Sequence, residues 1–305
     1  MGGARGMRHP LPHRNNFNSS HPSMPDALTL TKFEIRSSDG GPPIRGDVRV
    51  RAGHRPTAAV VICHGFKGFR AANFFPSLAR AVAAHGFAAV SFDFTRNGVG
   101  PDGADFSALH LFAEQTHSRN VDEIRQVMDA VCSGVLVPRK PRRIGLFGHS
   151  RGGGEAILAT AEDSRVDALV TWAAIADVAS RWSGEHVATW RAGGTVHVEN
   201  TRTRQMMPVG PDYWRDYEAN RERLDIGAAA ARVSAPWLIV HGDADATVPV
   251  DEGRALFDAV GESSELLVIE GGDHTFGSRH PYPGATPELR TAADATLEWF
   301  GTHLA

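Results

Sequence analysis

The segment Gly148-His149-Ser150-Arg151-Gly152 restricts what this chain can fold into more than any other stretch. It has the spacing G-x-S-x-G, which lets a serine sit on a sharp turn between a strand and a helix. Short patterns of Gly and Ser arise by chance, so the flanks decide its weight. Arg143 to Phe147 before it reads as a short buried strand, and Gly153 to Ala161 after it reads as a helix. Glycines at 148 and 152 remove the Cβ clashes that so tight a turn would create. The serine hydroxyl then stands at the positive end of a helix, above a sheet.

The rest of the chain repeats this alternation. Leu28 to Ser37 and Ile44 to Ala52 alternate apolar and polar residues around Asp39-Gly40-Gly41-Pro42-Pro43, a hairpin signal. Ala58 to Cys63, Phe87 to Phe92, Val166 to Ala173, Pro236 to Val240 and Leu266 to Ile269 are apolar runs of the kind buried on both faces. Between them lie helical patterns over Phe74 to His85, Ser118 to Ser133, Asp251 to Val260 and Pro287 to Leu304. Strands alternating with helices predict an α/β fold, with a mostly parallel central sheet and helices on both faces.

One region breaks the rhythm. From about 175 to 225 the chain is rich in Trp, Arg, His and Gly, with a hairpin pattern over Gly194 to Met206 and a polar helix pattern over Asp212 to Leu224. It has no apolar run long enough for its own core, so it reads as a small lid inserted into one domain spanning 26–305. Residues 1–25, rich in His, Pro, Asn, Ser and Gly, are expected to be a disordered tail.

Two further loops carry chemistry. A serine hydroxyl needs a base within hydrogen-bond reach, and the base needs a third group to orient it. His241-Gly242-Asp243-Ala244-Asp245-Ala246-Thr247-Val248-Pro249 and Gly271-Gly272-Asp273-His274-Thr275-Phe276 each follow a strand pattern directly. In open α/β sheets, functional groups collect at the carboxyl ends of strands. The order serine, acid, histidine is one that catalytic triads use.

From Leu28 to Leu304 the chain resembles the α/β-hydrolase superfamily. Four motifs carry the resemblance: His64-Gly65-Phe66-Lys67-Gly68, the turn around Ser150, His241-Gly242-Asp243-Ala244-Asp245 through Pro249, and Gly272-Asp273-His274. Within the superfamily it is most similar to bacterial dienelactone-hydrolase-like and feruloyl (cinnamoyl) esterase-like carboxylesterases. The resemblance implies Ser150 as nucleophile, His274 as base and Asp245 as acid, with Asp243 as runner-up in a structural role. It implies an oxyanion hole from the backbone N–H groups of Phe66 and Arg151. Many relatives carry Gln, Met or Leu at position 151. The arginine here either adds charge near the acyl group or pairs with an acid such as Glu155.

Other polar residues near these motifs have plainer readings. Lys67 reads as a solvated charge, His64 as support for its own loop, His149 as packing beside the turn, and Asp93 as a structural pairing. Trp182, Trp190 and Trp214 read as lid core. Cys63 and Cys132 read as buried free thiols.

Composition bounds the partners. With 32 basic and 35 acidic residues the formal net charge is −3, so nothing favours nucleic acid or an anionic membrane. No run approaches the roughly 20 apolar residues of a membrane span. The fifteen histidines are scattered, and no His/Cys cluster has metal-ligand spacing. The expectation is a cytoplasmic serine carboxylesterase acting on a small-molecule ester, without metal or organic cofactor, with homo-oligomerisation left open. A serine peptidase or acyl thioesterase shares the same machinery. A non-catalytic ligand-binding protein on this fold is the reading from another class.

Overall fold

A computed structural model describes residues 27–103, 105–261 and 263–305; the tail expected over 1–25 lies outside them. Strands β1 (Leu28–Ile35) and β2 (Ile44–Arg51) form the hairpin, turning at the Gly/Pro segment between them. The apolar runs become β3 (Ala58–Cys63), β4 (Ala88–Asp93), β5 (Arg143–His149), β6 (Ala168–Trp172), β9 (Trp237–Gly242) and β10 (Ser264–Ile269). These eight strands form one sheet in the order β1-β2-β4-β3-β5-β6-β9-β10. β2 pairs antiparallel with β1 and with β4, and all other pairings are parallel.

Burial on both faces explains the unbroken apolar runs. In β3, Ala59, Val61 and Cys63 face a core built with helix α3 (His117–Cys132) and helix α4 (Arg151–Glu162). The alternate residues Ala58, Val60 and Ile62 face a second core against α1 (Phe75–Ala84) and α9 (Pro287–Leu304). A strand with a layer on each side has no polar face to show in sequence. Cys63 is buried as expected, but Cys132, at the C-terminal end of α3, is only half-buried.

Between β6 and β9 the chain leaves the sheet. It forms α5 (Gly184–Arg191), a hairpin of β7 (Val196–Asn200) and β8 (Gln205–Val209), α6 (Asp212–Ala219) and α7 (Ile226–Ala230). α5 begins at a capping box, in which Ser183 accepts from His186 N–H and the His186 ring bonds back to Ser183 N–H. α6 stops at Ala219, five residues before the end that its polar pattern suggests.

The insertion packs on an apolar core that it shares with the rest of the domain, and Trp190 and Trp214 lie in it. Trp190, Val196, Met207, Val209, Tyr213 and Trp214 bury themselves with Phe69, Ala72, Phe106 and Phe112 from the loops after β3 and β4. Four of the core's ten buried residues are thus supplied from outside the insertion, by Phe69 and Ala72 and by Phe106 and Phe112 around the short helix α2 (Leu109–Ala113).

Candidate active site

The strand order reverses between β3 and β5, where the loops after the two strands diverge. That crevice is where an open α/β sheet collects its functional groups. Ser150 follows β5 directly with φ 57° and ψ −123°, a conformation that a non-glycine residue adopts only when its surroundings impose it. The turn is pinned by Ser150 N–H donating to Trp172 O at 2.9 Å and by Gly153 N–H donating to Ser150 O at 2.9 Å. A Cβ at 148 would collide with Gly152 O, and one at 152 with His64 O. Both glycines are therefore required by contact distance.

The two loops that the sequence singled out converge on this serine. His274 Nε2 lies 3.0 Å from Ser150 Oγ, and His274 Nδ1 lies 2.8 Å from Asp245 Oδ2. Asp245 Oδ1 accepts from the backbone N–H groups of Thr247 and Val248, each at 2.8 Å. Burial alone would raise the Asp245 carboxyl, but hydrogen bonds from His241 and His274 and the Val248 amide hold it well below the usual carboxylate range. It is an anion wherever the protein is folded at ordinary pH. Asp243 does something else: its Oδ1 accepts from Gly271 N–H at 2.7 Å and fastens the two loops together.

Two neutral histidines frame the cluster. His149 packs its ring 4.8 Å from that of His274, and its Nε2 donates to His274 O at 2.8 Å. Burial pushes its pKa down to about 3. His64 donates from Nδ1 to Gly65 O at 2.9 Å and accepts from Phe94 N–H at 3.2 Å, and burial pushes it down to about 4. Each bonds backbone that shapes the site. Asp93 likewise accepts from Arg70 N–H at 2.7 Å and pairs with the Arg70 guanidinium.

The loop after β3 passes directly beside the serine. A Cβ on Gly65 would lie 3.0 Å from His149 O and 3.1 Å from Ser150 Cβ. Phe66 follows, and Gly65, Phe66, Ser150, Arg151 and His274 all line one cleft of about 630 Å³ beneath the insertion. Trp182 lines it too, while Trp190 and Trp214 lie in the core of the insertion. Lys67 is not a free surface charge: its Nζ donates to Glu199 O of the β7–β8 hairpin at 2.9 Å.

Arg151 is buried and tied to an acid. Its Nε donates to Glu155 Oε1 at 2.8 Å, and its guanidinium also binds Gln115 Oε1. Burial would raise the Glu155 carboxyl, yet Arg151 and His117 hold it below the usual range. The guanidinium lies over the rings of Phe66 and Tyr213, at 5.5 and 5.3 Å. Tyr213 OH bonds His117 Nε2 at 2.8 Å and accepts from Trp182 Nε1 at 3.1 Å, so this buried network joins α4 to the insertion. Among the described residues, no three His, Cys, Asp or Glu side chains converge as a metal site requires, and no helix is long and apolar enough to cross a membrane.

Residues 54–208 match the family model described as serine aminopeptidase, S33, of the Hydrolase_4 type. The chain belongs to this family of α/β hydrolases. A protein encoded in the traX-finO intergenic region of Escherichia coli, named only by its 31.7 kDa mass, is 29% identical over 286 residues, covering 84% of this chain and 94% of that one. The α/β hydrolase GrgF from Penicillium sp. shares the fold at a TM-score of 0.69 and 18% identity, over 90% of this chain and 99% of its own. Est1E from Butyrivibrio proteoclasticus matches at 0.63 and 18%, over 89% and 98%. The resemblance read from the motifs of this S33-type hydrolase therefore extends to its family and fold.

Proposed function

We propose that the chain is a serine hydrolase that cleaves carboxylic esters through an acyl-enzyme. The observation that carries this reading is the continuous chain Ser150 Oγ, His274, Asp245, open to a cleft at the serine end. With Nδ1–H donating to the Asp245 anion, His274 Nε2 keeps its lone pair for the serine proton. Ser150 Oγ attacks the ester carbonyl carbon as His274 takes that proton. The carbonyl oxygen becomes an oxyanion, held by the backbone N–H groups of Phe66 and Arg151. Collapse expels the alcohol, which leaves with the proton from His274. Water, deprotonated by His274, then releases the acid and restores Ser150.

Est1E has also been solved with ferulic acid bound, and an esterase domain from Rhodothermus marinus shares the fold, which is consistent with an ester as substrate here. The family description raises a second reading, an aminopeptidase. Such an enzyme captures the free amine of its substrate with an acid, and no Asp or Glu is among the described residues that line this cleft. That favours the ester.

The test is a panel of p-nitrophenyl esters, acyl thioesters and aminoacyl anilides run with the wild type and Ser150→Ala. Ester turnover that falls at least about a thousandfold in the variant is expected. Retained turnover in Ser150→Ala, or a preference for anilides, would overturn the reading.

A further inference from the structure

The walls of the cleft are one-signed. Lys67, Arg151, Arg181, Arg202 and Arg279 line it, and the described lining contains no carboxylate to answer them. Two of these cations are accounted for: Arg151 by Glu155, and Arg181 by Glu252. Lys67 and Arg202 make no ion pair among the described residues. Arg202 Nη2 donates to Lys67 O at 3.1 Å, and Lys67 Nζ donates to Glu199 O at 2.9 Å. Those partners are carbonyls, which orient a cation without neutralising it. The Glu199 carboxylate itself pairs with Arg204, at 3.5 Å.

Both cations are half-buried and held in place by rings. The Arg202 guanidinium lies over Phe69 and Phe106 at 5.8 and 5.7 Å, and Lys67 Nζ lies 5.6 Å from the Phe66 ring centre. Aromatic faces soften the cost of burying a cation but carry no net charge. Burial and then Arg202 lower the Lys67 pKa against the opposing pull of Glu199, and burial and Arg202 lower that of His280, whose ring packs on Phe69 beside Arg202. Lys67 also holds φ at 55°, in the left-handed region, beside Phe66. Two adjacent, oriented cations, of which Arg202 has no carboxylate beside it and Lys67 only the Glu199 charge that Arg204 already shares, impose a positive field on whatever enters the cleft.

We propose that the ester cleaved here carries a free carboxylate, which Lys67 and Arg202 bind while Ser150 attacks the ester carbonyl. A guanidinium offers paired N–H donors and an ammonium a point charge, together suited to one carboxylate. This rests on the ester-hydrolase reading and adds the charge of the substrate to it.

The test compares mono-4-nitrophenyl glutarate with 4-nitrophenyl pentanoate, which differ by a carboxylate in place of a terminal methyl. In the wild type, kcat/KM for the glutarate ester should exceed that for the pentanoate ester at least tenfold. The preference should shrink as salt rises from 0.05 to 0.5 M. It should also fall at least tenfold in Arg202→Gln and in Lys67→Gln. The readout is a ratio within each protein, so a general loss of rate cancels. A wild-type ratio near or below one, or one unchanged in both variants, overturns the proposal and leaves the esterase reading standing. If neither ester is cleaved, the esterase reading fails, and titration calorimetry of glutarate decides the anion site. Saturable binding lost in Arg202→Gln supports it, and no binding to the wild type overturns it.

Discussion

Arg151 Nε donates to Glu155 Oε1 at 2.8 Å, one turn along the helix that starts at the nucleophile turn, with both side chains buried. The residue whose amide we propose for the oxyanion hole therefore has its side chain fixed by a buried charge. Breaking such a pair from one side leaves an uncompensated ion, which costs more than the pair contributes. Arg151→Met should destabilise the fold by about 3–5 kcal/mol in urea denaturation. Adding Glu155→Gln should recover at least half of that loss, since Gln can still bond Asn120 Nδ2, which now lies 2.9 Å from Glu155 Oε1. Strict additivity of the two changes would refute the coupling.

The two aspartates of the acid loop should separate sharply. Asp245→Asn removes the anion that fixes the His274 tautomer and should lower kcat by about 10⁴. Asp243→Asn keeps an oxygen for Gly271 N–H and should cost less than about tenfold. Steady-state kinetics of both variants on one ester checks the assignment; the opposite ranking would make Asp243 the acid.

Gly65 is a probe of the oxyanion loop. An added methyl would press on His149 O and Ser150 Cβ at 3.0 and 3.1 Å, so the loop must move away from the serine by a few tenths of an ångström. If the Phe66 amide serves the proposed oxyanion hole, it acts mainly in the transition state, and Gly65→Ala should lower kcat by roughly 10–100-fold with KM almost unchanged. A rise in KM at constant kcat would show that the loop serves ground-state binding instead.

Glu123 gives the fold a pH signature independent of catalysis. Buried beneath Thr95, whose N–H donates to its Oε2 at 2.9 Å, its carboxyl is raised by burial from 4.5 to about 7. A folded-state pKa above the unfolded one means that the native state holds the extra proton. This contribution is thus fully present below pH 4.5 and is lost as pH rises through 7. Glu123→Gln cannot titrate. Relative to wild type, its stability should therefore improve between pH 5 and pH 8, by up to about 3 kcal/mol. Thermal melts across that range test it, and a constant difference between the two proteins would remove Glu123 as the cause.

What the sequence made legible was local. Ser150, its glycines and the strand before it lie within a few residues of one another, and the loops of Asp245 and His274 each follow an apolar strand. The pairing of Arg151 with Glu155 was available from their one-turn spacing. What escaped depends on residues far apart in the chain. Lys67 reads as solvated because its partner, Glu199 O, is 132 residues away. The insertion looks coreless because Phe69, Phe106 and Phe112 come from other loops. The short helices α2, α5 and α7 carry too few turns for a period to emerge from their composition.

The shared core beneath the insertion has a practical consequence for engineering. Excising residues 175–225 would not yield a simpler enzyme with an open mouth. It would strip the covering from Phe69, Phe106 and Phe112 and leave a bare aromatic patch prone to self-association. It would also unseat the loop that begins at Phe66. Access to Ser150 in this scaffold must be widened one side chain at a time, at positions such as Trp182 that line the cleft at the edge of that core.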